Sequence, residues 1–240
     1  MSRQAKLRAR RNKYTLEKHK TKEEWVEARG IGGSSAAAIL GLSNWHTTQD
    51  IYDDLALGKV KKISDNERMQ DGRLSESAIR QLFILDYKRY KVKEPPKRSY
   101  WMFRRKDKPY ITLTPDALLK DTYTGKLGAL EIKNVEMRNK ETRVAWETLD
   151  LPDQYYWQVV HYFVAKPDID FVIVYAHLKY FAYNELAEEW QLDYSKQRAY
   201  YFERLMFKKH IEYLENEETR FYENYVAKRK RPPLILDLNF

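Results

Sequence analysis

The chain has 240 residues, a formal net charge of +9, 43% hydrophobic and 14% aromatic residues, and no cysteine. This apolar content excludes a disordered protein, and the lack of cysteine excludes disulfide scaffolds, cysteine zinc sites and thiol nucleophiles. No apolar run approaches the roughly 20 residues of a membrane helix, and no signal peptide is recognisable, so we expect a cytoplasmic protein without membrane contact.

Positive charge is concentrated in two segments of the chain. Residues 1–22 contain nine basic residues and one acidic residue, and residues 86–108 contain ten basic and three acidic residues. A basic stripe on a nearly neutral body is typical of a phosphate-binding surface, although solvated surface charges explain such runs equally well. We predict that residues 1–20 form a flexible basic arm that contacts a polyanion.

Helices predominate in the first third of the predicted structure. Capping boxes, in which serine or threonine is followed three residues later by glutamate, predict helices that open at Thr21 and Ser64. The block Gly30–Gly41 predicts a tight turn and a short helix that begins at a serine. Thr48–Leu57 predicts a further helix, which Gly58 ends. The helix after Ser64 is expected to be long, because its apolar residues keep a helical spacing.

Strands dominate the middle of the chain, and helices return near its end. The predicted strands are Ser99–Arg105, Tyr110–Leu113, Asp116–Lys120, Leu127–Val135, Phe171–Ala176 and Leu178–Tyr183. The later predicted helices cover residues 152–164 and about 193–228. This order is typical of an α/β fold, and no linker divides it. We therefore predict one domain over residues 21–234, followed by a short tail at 235–240.

Three charged side chains on two of these strands form a candidate catalytic cluster. Glu131 and Lys133 are two residues apart on a strand, so both face the same side. A hairpin that turns near residues 121–125 brings Asp116 beside Glu131. Two carboxylates can hold Mg²⁺, and a neighbouring lysine can orient the attacking water, deprotonate it or neutralise charge on a phosphate. On spacing alone, a surface hairpin with an ordinary salt bridge is the commoner explanation.

Motifs for several other chemistries are absent from the sequence. It contains no Walker A loop, no GxGxxG fingerprint and no GxSxG elbow, and its five histidines lack the spacing of a zinc site. P-loop and dinucleotide-binding proteins, α/β-hydrolases and zinc enzymes are therefore not predicted.

Several motifs, in order along the chain, resemble those of the phage lambda exonuclease / YqaJ viral recombinase family of PD-(D/E)xK nucleases. They are Arg29 with the block Gly30–Leu42, Gly72-Arg-Leu-Ser-Glu76, Pro115-Asp116 with Glu131-Ile-Lys133, Tyr155-Tyr-Trp-Gln158-Val-Val-His161, and a final hydrophobic strand and helix before Pro232-Pro233. The resemblance covers about residues 21–234, and its glycine–serine block is specific. The chain has Ser35 and Ala117 where aspartate and glycine are usual in the family, and its spacing from Arg29 to Ser34 is shorter.

The resemblance implies a PD-(D/E)xK restriction-endonuclease-like core with a central mixed β-sheet flanked by helices. It also implies a catalytic role for four side chains. Asp116 and Glu131 would ligate Mg²⁺ together with the carbonyl group of Ile132, and Lys133 would lie at the attacking water. Glu76 would complete the acidic site, although a plain exposed glutamate on a helix is the alternative.

The resemblance assigns a second group of residues to DNA. Arg29, Ser34 and Ser35 would bind the phosphate at the DNA end, although Ser34 also fits a simple helix N-cap. Gln158 would hydrogen-bond the DNA backbone or a water at the site. Tyr155 shares a helix face with Gln158 and Tyr162 and serves either DNA binding or packing.

The implied function is a Mg²⁺-dependent exonuclease that digests linear double-stranded DNA from 5′ to 3′. It would use two metal ions, with Mn²⁺ as a substitute, and leave 3′ overhangs for a single-strand annealing protein in phage-type recombination. The family also implies a ring-shaped homotrimer, acting in the cytoplasm of a bacterial host. Two alternatives remain: an endonuclease of the same fold in restriction or repair, and a non-catalytic DNA-end-binding protein.

Overall fold

The structure is a computed structural model that describes residues 13–58, 67–96, 99–147 and 151–233. Its strands are β1 (Tyr14–His19), β2 (Tyr90–Lys93), β3 (Tyr100–Arg105), β4 (Thr112–Leu113), β5 (Ala117–Asp121), β6 (Leu127–Met137), β7 (Phe171–Asn184) and β8 (Glu189–Glu203). Its helices are α1 (Lys22–Glu27), α2 (Gly33–Ile39), α3 (Thr48–Leu57), α4 (Glu67–Asp86), α5 (Lys140–Glu147), α6 (Asp153–Ala165) and α7 (Lys208–Phe221). A 3₁₀ turn at Arg204–Phe207 precedes α7, and a π-helical turn at Tyr222–Val226 follows it.

Two sheets organise the described part of the chain. The larger sheet has five strands in the order β2-β5-β6-β7-β8, and the smaller has three in the order β1-β3-β4. In the larger sheet β6 and β7 are parallel and the other neighbours are antiparallel, so the sheet is mixed. The predicted α/β class with a central mixed sheet is therefore confirmed.

Strand β6 lies at the centre of the larger sheet, and both of its faces are covered. Leu130 and Ile132 point into a cluster that contains Phe83 of α4, whereas Ala129 and Val135 point into a cluster built largely on α6. A strand buried on both faces must be nearly continuous in apolar residues. The charged residues Glu131 and Lys133 interrupt this pattern at the centre of the fold.

Two glycines let helix α2 lie against the small sheet and helix α6. A β-carbon at Gly30 would clash with the carbonyl oxygen of Tyr110, and one at Gly33 would lie 2.9 Å from the side chain of Gln158. The backbone of Ile31 instead hydrogen-bonds to Tyr110 and Thr112, at 2.7 and 2.9 Å. The predicted turn and short helix are confirmed, but the helix begins after Gly32 rather than at a serine cap.

The C-terminal prediction is wrong in two respects. The strand that begins at Phe171 does not end near Ala176 but continues to Asn184, and residues 189–203 form a strand instead of the start of a long helix. The two strands pair as one hairpin from Phe171–Glu203 to Asn184–Glu189. Aromatic residues favour strands when a neighbouring edge supplies hydrogen bonds, and Tyr180 stacks on Tyr194 with 4.3 Å between ring centroids. Within residues 193–228, helical structure is confined to the 3₁₀ turn at Arg204–Phe207, the α-helix Lys208–Phe221 and the π-helical turn after it.

The predicted loose arm is wrong for its last third, because Tyr14–His19 pairs with β3. The hydroxyl group of Tyr14 donates to Asp168 at 2.8 Å, which ties this strand to the loop after α6. The rest of the arm, the capping serine Ser64 and the predicted tail lie outside the described residues. Helix α3 has the predicted bounds, and Gly58 ends it with a φ of 63°. None of the helices in the described ranges combines the length and apolarity that crossing a bilayer requires.

Candidate active site

The hairpin of β5 and β6 joins the two predicted acidic ligands. Ala117 pairs with Leu130 across the antiparallel ladder, which places Asp116 opposite Glu131 at the open end of the hairpin. The backbone N–H of Ile132 donates to the Asp116 carboxylate at 2.6 Å. Gly125, with a φ of 64°, accommodates the turn at the other end. The predicted proximity of the two carboxylates is confirmed.

Helix α6 completes a hydrogen-bonded cluster around Glu131, whose residue surface is only 7% exposed. One carboxylate oxygen accepts from Lys133 Nζ at 2.6 Å and from Gln158 Nε2 at 2.7 Å. Lys133 Nζ also donates to Gln158 Oε1 at 3.0 Å, which closes a three-membered network. The second oxygen accepts from the hydroxyl group of Tyr162. Both oxygens are therefore held in a defined orientation.

Tyr162 is the site residue that the motif analysis did not assign. The signal was present, because Tyr162 follows Gln158 by one helical turn and shares its face. Burial, together with the charge of Glu131, raises the pKa of Tyr162 well above its ordinary value. The phenol therefore keeps its proton and acts as a donor.

Three carboxylates, those of Asp116, Glu131 and Glu76, lie close enough to repel one another, and the pKa values of Asp116 and Glu76 are raised. Burial raises the pKa of Asp116 well above its ordinary value, and the charges of Glu131 and Glu76 raise it further. Burial likewise raises the pKa of Glu76, although its ion pair with Arg80 opposes the shift. The structure thus brings Glu76 within electrostatic range of the hairpin carboxylates. A perturbed group of this kind is typical of functional sites.

Lys133 supplies positive charge at the same place. Burial by itself lowers the pKa of Lys133, but Glu131 and the other neighbouring groups outweigh it, so the pKa is raised. Its ammonium group lies 4.8 Å from the centre of the Tyr155 ring. The lysine is therefore charged at neutral pH and fixed between a carboxylate, an amide and an aromatic face.

A small cleft of about 230 Å³ opens onto these carboxylates. Asp116, Glu131 and Gln158 line one side of it, and Arg29 and Ser34 line another. The cleft thus brings together five of the predicted site residues. The other five predicted site residues do not line it; they are Glu76, Ile132, Lys133, Ser35 and Tyr155.

Arg29 lies in this cleft without a carboxylate bonded to it. Its guanidinium group packs over the Trp25 ring at 5.0 Å, and the indole N–H of Trp25 donates to Thr114 at 3.2 Å. No described residue hydrogen-bonds to the guanidinium group. Burial lowers the pKa of Arg29, and the charge of Asp54 only partly offsets the effect. An arginine fork that is partly desolvated and unpaired is well suited to bind a phosphate.

The donor set fits a hard divalent cation that keeps several of its waters. No group of three or more histidine or acidic side chains in the described ranges forms a complete cage for a metal ion. Mg²⁺ does not need one, since one or two carboxylates, waters and a substrate phosphate usually hold it. Asp116 and Glu131 provide that pair; burial raises the pKa of Asp116, and the negative charges of Glu131 and Glu76 add to the shift.

A known family model covers more than half of the chain. Residues 24–165 match the family described as the YqaJ-like viral recombinase domain. A stretch of 144 residues, 59% of the chain, is 27% identical to the uncharacterised protein YqaJ of Bacillus subtilis (strain 168). That stretch corresponds to 41% of the relative's length, so the chain spans less than half of the protein it matches.

Solved exonuclease structures share the architecture. The alkaline exonuclease LHK-Exo of Laribacter hongkongensis matches 86% of this chain and 93% of its own, with a TM-score of 0.58 and 19% identity. A phage-related exonuclease of Haemophilus somnus 129PT matches 84% of this chain and 96% of its own, with a TM-score of 0.52 and 14% identity. At these identities the similarity establishes a common fold.

Proposed function

The chain belongs to the YqaJ-like viral recombinase family, and from this premise we propose that it is a metal-dependent deoxyribonuclease that degrades linear double-stranded DNA from its ends. One observation carries the proposal. Asp116 and Glu131 line a cleft that also presents the unpaired guanidinium group of Arg29, and Lys133 hydrogen-bonds to Glu131 and to Gln158, which lines the same cleft. Two carboxylates with a lysine bonded to one of them, beside a phosphate-binding arginine, are the groups that phosphodiester hydrolysis needs.

Asp116 and Glu131, with the carbonyl group of Ile132, would hold the metal, which we propose to be Mg²⁺ in two ions with Mn²⁺ as a substitute. When bound, the metal would activate water and stabilise negative charge on the phosphate. Tyr162 and Gln158 hold the Glu131 carboxylate in place. Glu76 adds negative charge from helix α4 without a hydrogen bond to either ligand.

Lys133 is proposed to act on the attacking water and the phosphate. Burial lowers the pKa of Lys133, but the charge of Glu131 outweighs it, so the pKa is raised and the ammonium form is favoured. An ammonium group beside Glu131 can orient the attacking water and neutralise charge that develops on the phosphate. Gln158 fixes this ammonium group at 3.0 Å.

Arg29 and Ser34 are proposed to bind the phosphate at the DNA end. Gly32 and Gly33 form the cleft wall between them, and their small size leaves room for a bound group. A site that holds a terminal phosphate beside the hydrolytic cluster favours an exonuclease over an enzyme that cuts internally. The similar exonuclease LHK-Exo has been solved in complex with dAMP, a nucleoside monophosphate.

The family description extends the proposal to recombination. We propose that digestion proceeds from 5′ to 3′, leaves 3′ overhangs for a single-strand annealing protein, and is carried out by a ring-shaped homotrimer in the cytoplasm of a bacterial host. Family membership supports the link to recombination, and the resemblance of the sequence motifs supports the polarity, the overhangs, the trimer and the host.

The test is digestion of one linear duplex, labelled at either its 5′ or its 3′ ends, beside a closed circle. Wild type and Lys133→Ala are compared, each with Mg²⁺ and with EDTA. We expect early release of the 5′ label as mononucleotides, an intact circle, and loss of cleavage with EDTA and in the variant. A cut circle would show an endonuclease, and DNA binding without any cleavage would show a binding protein.

A further inference from the structure

A second and larger cleft lies beside the catalytic cluster, and no family role is assigned to it. We call it the Trp45 cleft. Its volume is about 650 Å³, and it opens at the carboxyl end of strand β6. The residues that matter for its chemistry are Trp45, Asn134, Arg138, Gln154, Tyr155 and Lys179. Clefts of this volume accept ligands the size of one or two nucleotides, whereas a DNA duplex is far wider.

Trp45 is held in an exposed position by the turn that carries it. The side-chain oxygen of Ser43 accepts from the backbone N–H groups of Trp45 and His46, at 3.2 and 3.3 Å. Immediately afterwards, Thr47 and Asp50 form the capping box that begins helix α3. The turn is therefore fixed at both ends, yet Trp45 remains 60% exposed. An ordered indole that faces a cleft is suited to stack on a planar ligand.

The cleft meets the catalytic cluster at Tyr155. The Tyr155 ring forms part of the cleft wall and lies 5.9 Å from the Trp45 ring, in an edge-on arrangement. The ammonium group of Lys133 lies over the same tyrosine ring. The smaller cleft that holds Arg29, here called the Arg29 cleft, is lined by Gln158, the Trp45 cleft is lined by Tyr155, and Lys133 contacts both of these residues. A DNA strand whose scissile phosphate lies at Lys133 must extend in both directions from it.

The polar groups of the Trp45 cleft match a nucleotide. Lys179 and Arg138 supply positive charge, while Glu136, 3.0 Å from Arg138, and Glu141 supply negative charge. The amide side chains of Asn134 and Gln154 also line the cleft. Amide groups of this kind hydrogen-bond the edges of DNA bases.

We propose that the Trp45 cleft binds unpaired nucleotides of the scissile strand adjoining the phosphate at Lys133, with one base stacked on Trp45. This inference rests on the proposed function, because it places the second cleft on the path of the strand that is cut. It assigns Trp45 and Tyr155 to substrate binding rather than to the core. Since every base has an aromatic face, binding here is independent of sequence.

The experiment measures binding apart from cleavage. A short single-stranded oligodeoxynucleotide, carrying 5-iododeoxyuridine near its 5′ end, is titrated in EDTA and then irradiated. We expect Trp45→Ala to bind about 5- to 150-fold more weakly, the range for loss of one stacked base. Trp45→Phe should retain most of the affinity. The wild-type cross-link should map to Trp45 or Tyr155 and disappear in Trp45→Ala.

Tyr123→Ala is the matched control, because Tyr123 is 82% exposed and lies in the turn at the opposite end of β6. Its affinity should equal that of wild type. Equal affinity of Trp45→Ala and wild type, or a cross-link confined to other residues, overturns the proposal. Digestion by wild type with Mg²⁺ is scored separately. A Trp45 binding defect in a protein that cuts no DNA would refute the nuclease and leave the cleft as a binding site.

Discussion

Replacing Tyr162 by phenylalanine removes one oxygen atom and tests whether the orientation of Glu131 matters for catalysis. The Tyr162 hydroxyl group donates to a carboxylate oxygen of Glu131, while the other oxygen is held by Lys133 and Gln158. The substitution leaves the buried Glu131 carboxylate with one hydrogen bond fewer. A hydrogen bond to a charged group contributes about 1.5–3 kcal/mol to stability. For a domain of this size each kcal/mol lowers Tm by roughly 2–4 °C.

We therefore expect Tyr162→Phe to unfold about 3–12 °C below wild type in EDTA. We also expect its kcat on linear DNA to fall by at least ten-fold, because only one of the two Glu131 oxygens is still held by hydrogen bonds and the carboxylate is less well oriented. Thermal unfolding and single-turnover digestion measure the two effects separately. Binding of DNA in EDTA should change little, since Tyr162 donates to Glu131 and not to the substrate.

Tyr175→Phe is the control for the stability effect. The Tyr175 hydroxyl group donates to Asp86 at 2.9 Å, on the face of the sheet away from the cleft. The Tyr175→Phe substitution removes the same hydroxyl oxygen from another tyrosine–carboxylate pair, so it should lower Tm without lowering kcat. If Tyr162→Phe behaves like Tyr175→Phe in both measurements, the hydroxyl group only stabilises the fold and the reasoning about Glu131 is refuted.

Three further predictions concern other parts of the molecule. Gly30→Ala should lower the free energy of unfolding in urea by about 1–3 kcal/mol, because its β-carbon would clash with a backbone carbonyl oxygen; an unchanged value would contradict the close approach of α2. His161 donates to Glu218 at 2.6 Å and to a backbone carbonyl at 2.8 Å, and although burial alone lowers its pKa, Glu218 raises it overall. The protonated His161 therefore contributes to the free energy of unfolding. This contribution is fully present below about pH 6.5 and is lost as the pH rises through the higher pKa of the folded state. The free energy of unfolding in urea, measured from pH 6 to 9, should fall with pH in wild type. The same dependence on pH in His161→Gln would disprove the role of His161. Deleting residues 1–12, which carry five basic residues, should reduce the salt dependence of DNA binding; an unchanged slope would exclude a tethering role.

The candidate cluster is the part of the site that local sequence rules predicted well. Two-residue periodicity puts Glu131 and Lys133 on one face, and a glycine at the turn closes a hairpin that returns Asp116 to Glu131. The helix at Thr48–Leu57 has the predicted bounds and ends at Gly58 as predicted, and the structure adds a capping box of Thr47 and Asp50 at its start. Such features depend on residues within a few positions of one another, which is why they can be read without the fold.

Contacts between distant residues were decided only by the tertiary structure. Gln158 reaches Glu131 from a helix 27 positions along the chain, and the rest of the Arg29 cleft forms only where α2 meets α6. The long hairpin of β7 and β8 was mistaken for a strand pair followed by a helix. The aromatic and charged residues of 189–203 are compatible with a helix or a strand. They form a strand because the edge of β7 offers backbone hydrogen bonds to pair with. The sequence by itself determined the chemistry of the cluster, because hairpin and helix signals are local. The packing of distant elements decided which cleft each residue faces, because that depends on backbone hydrogen bonds and buried surface that no short segment contains.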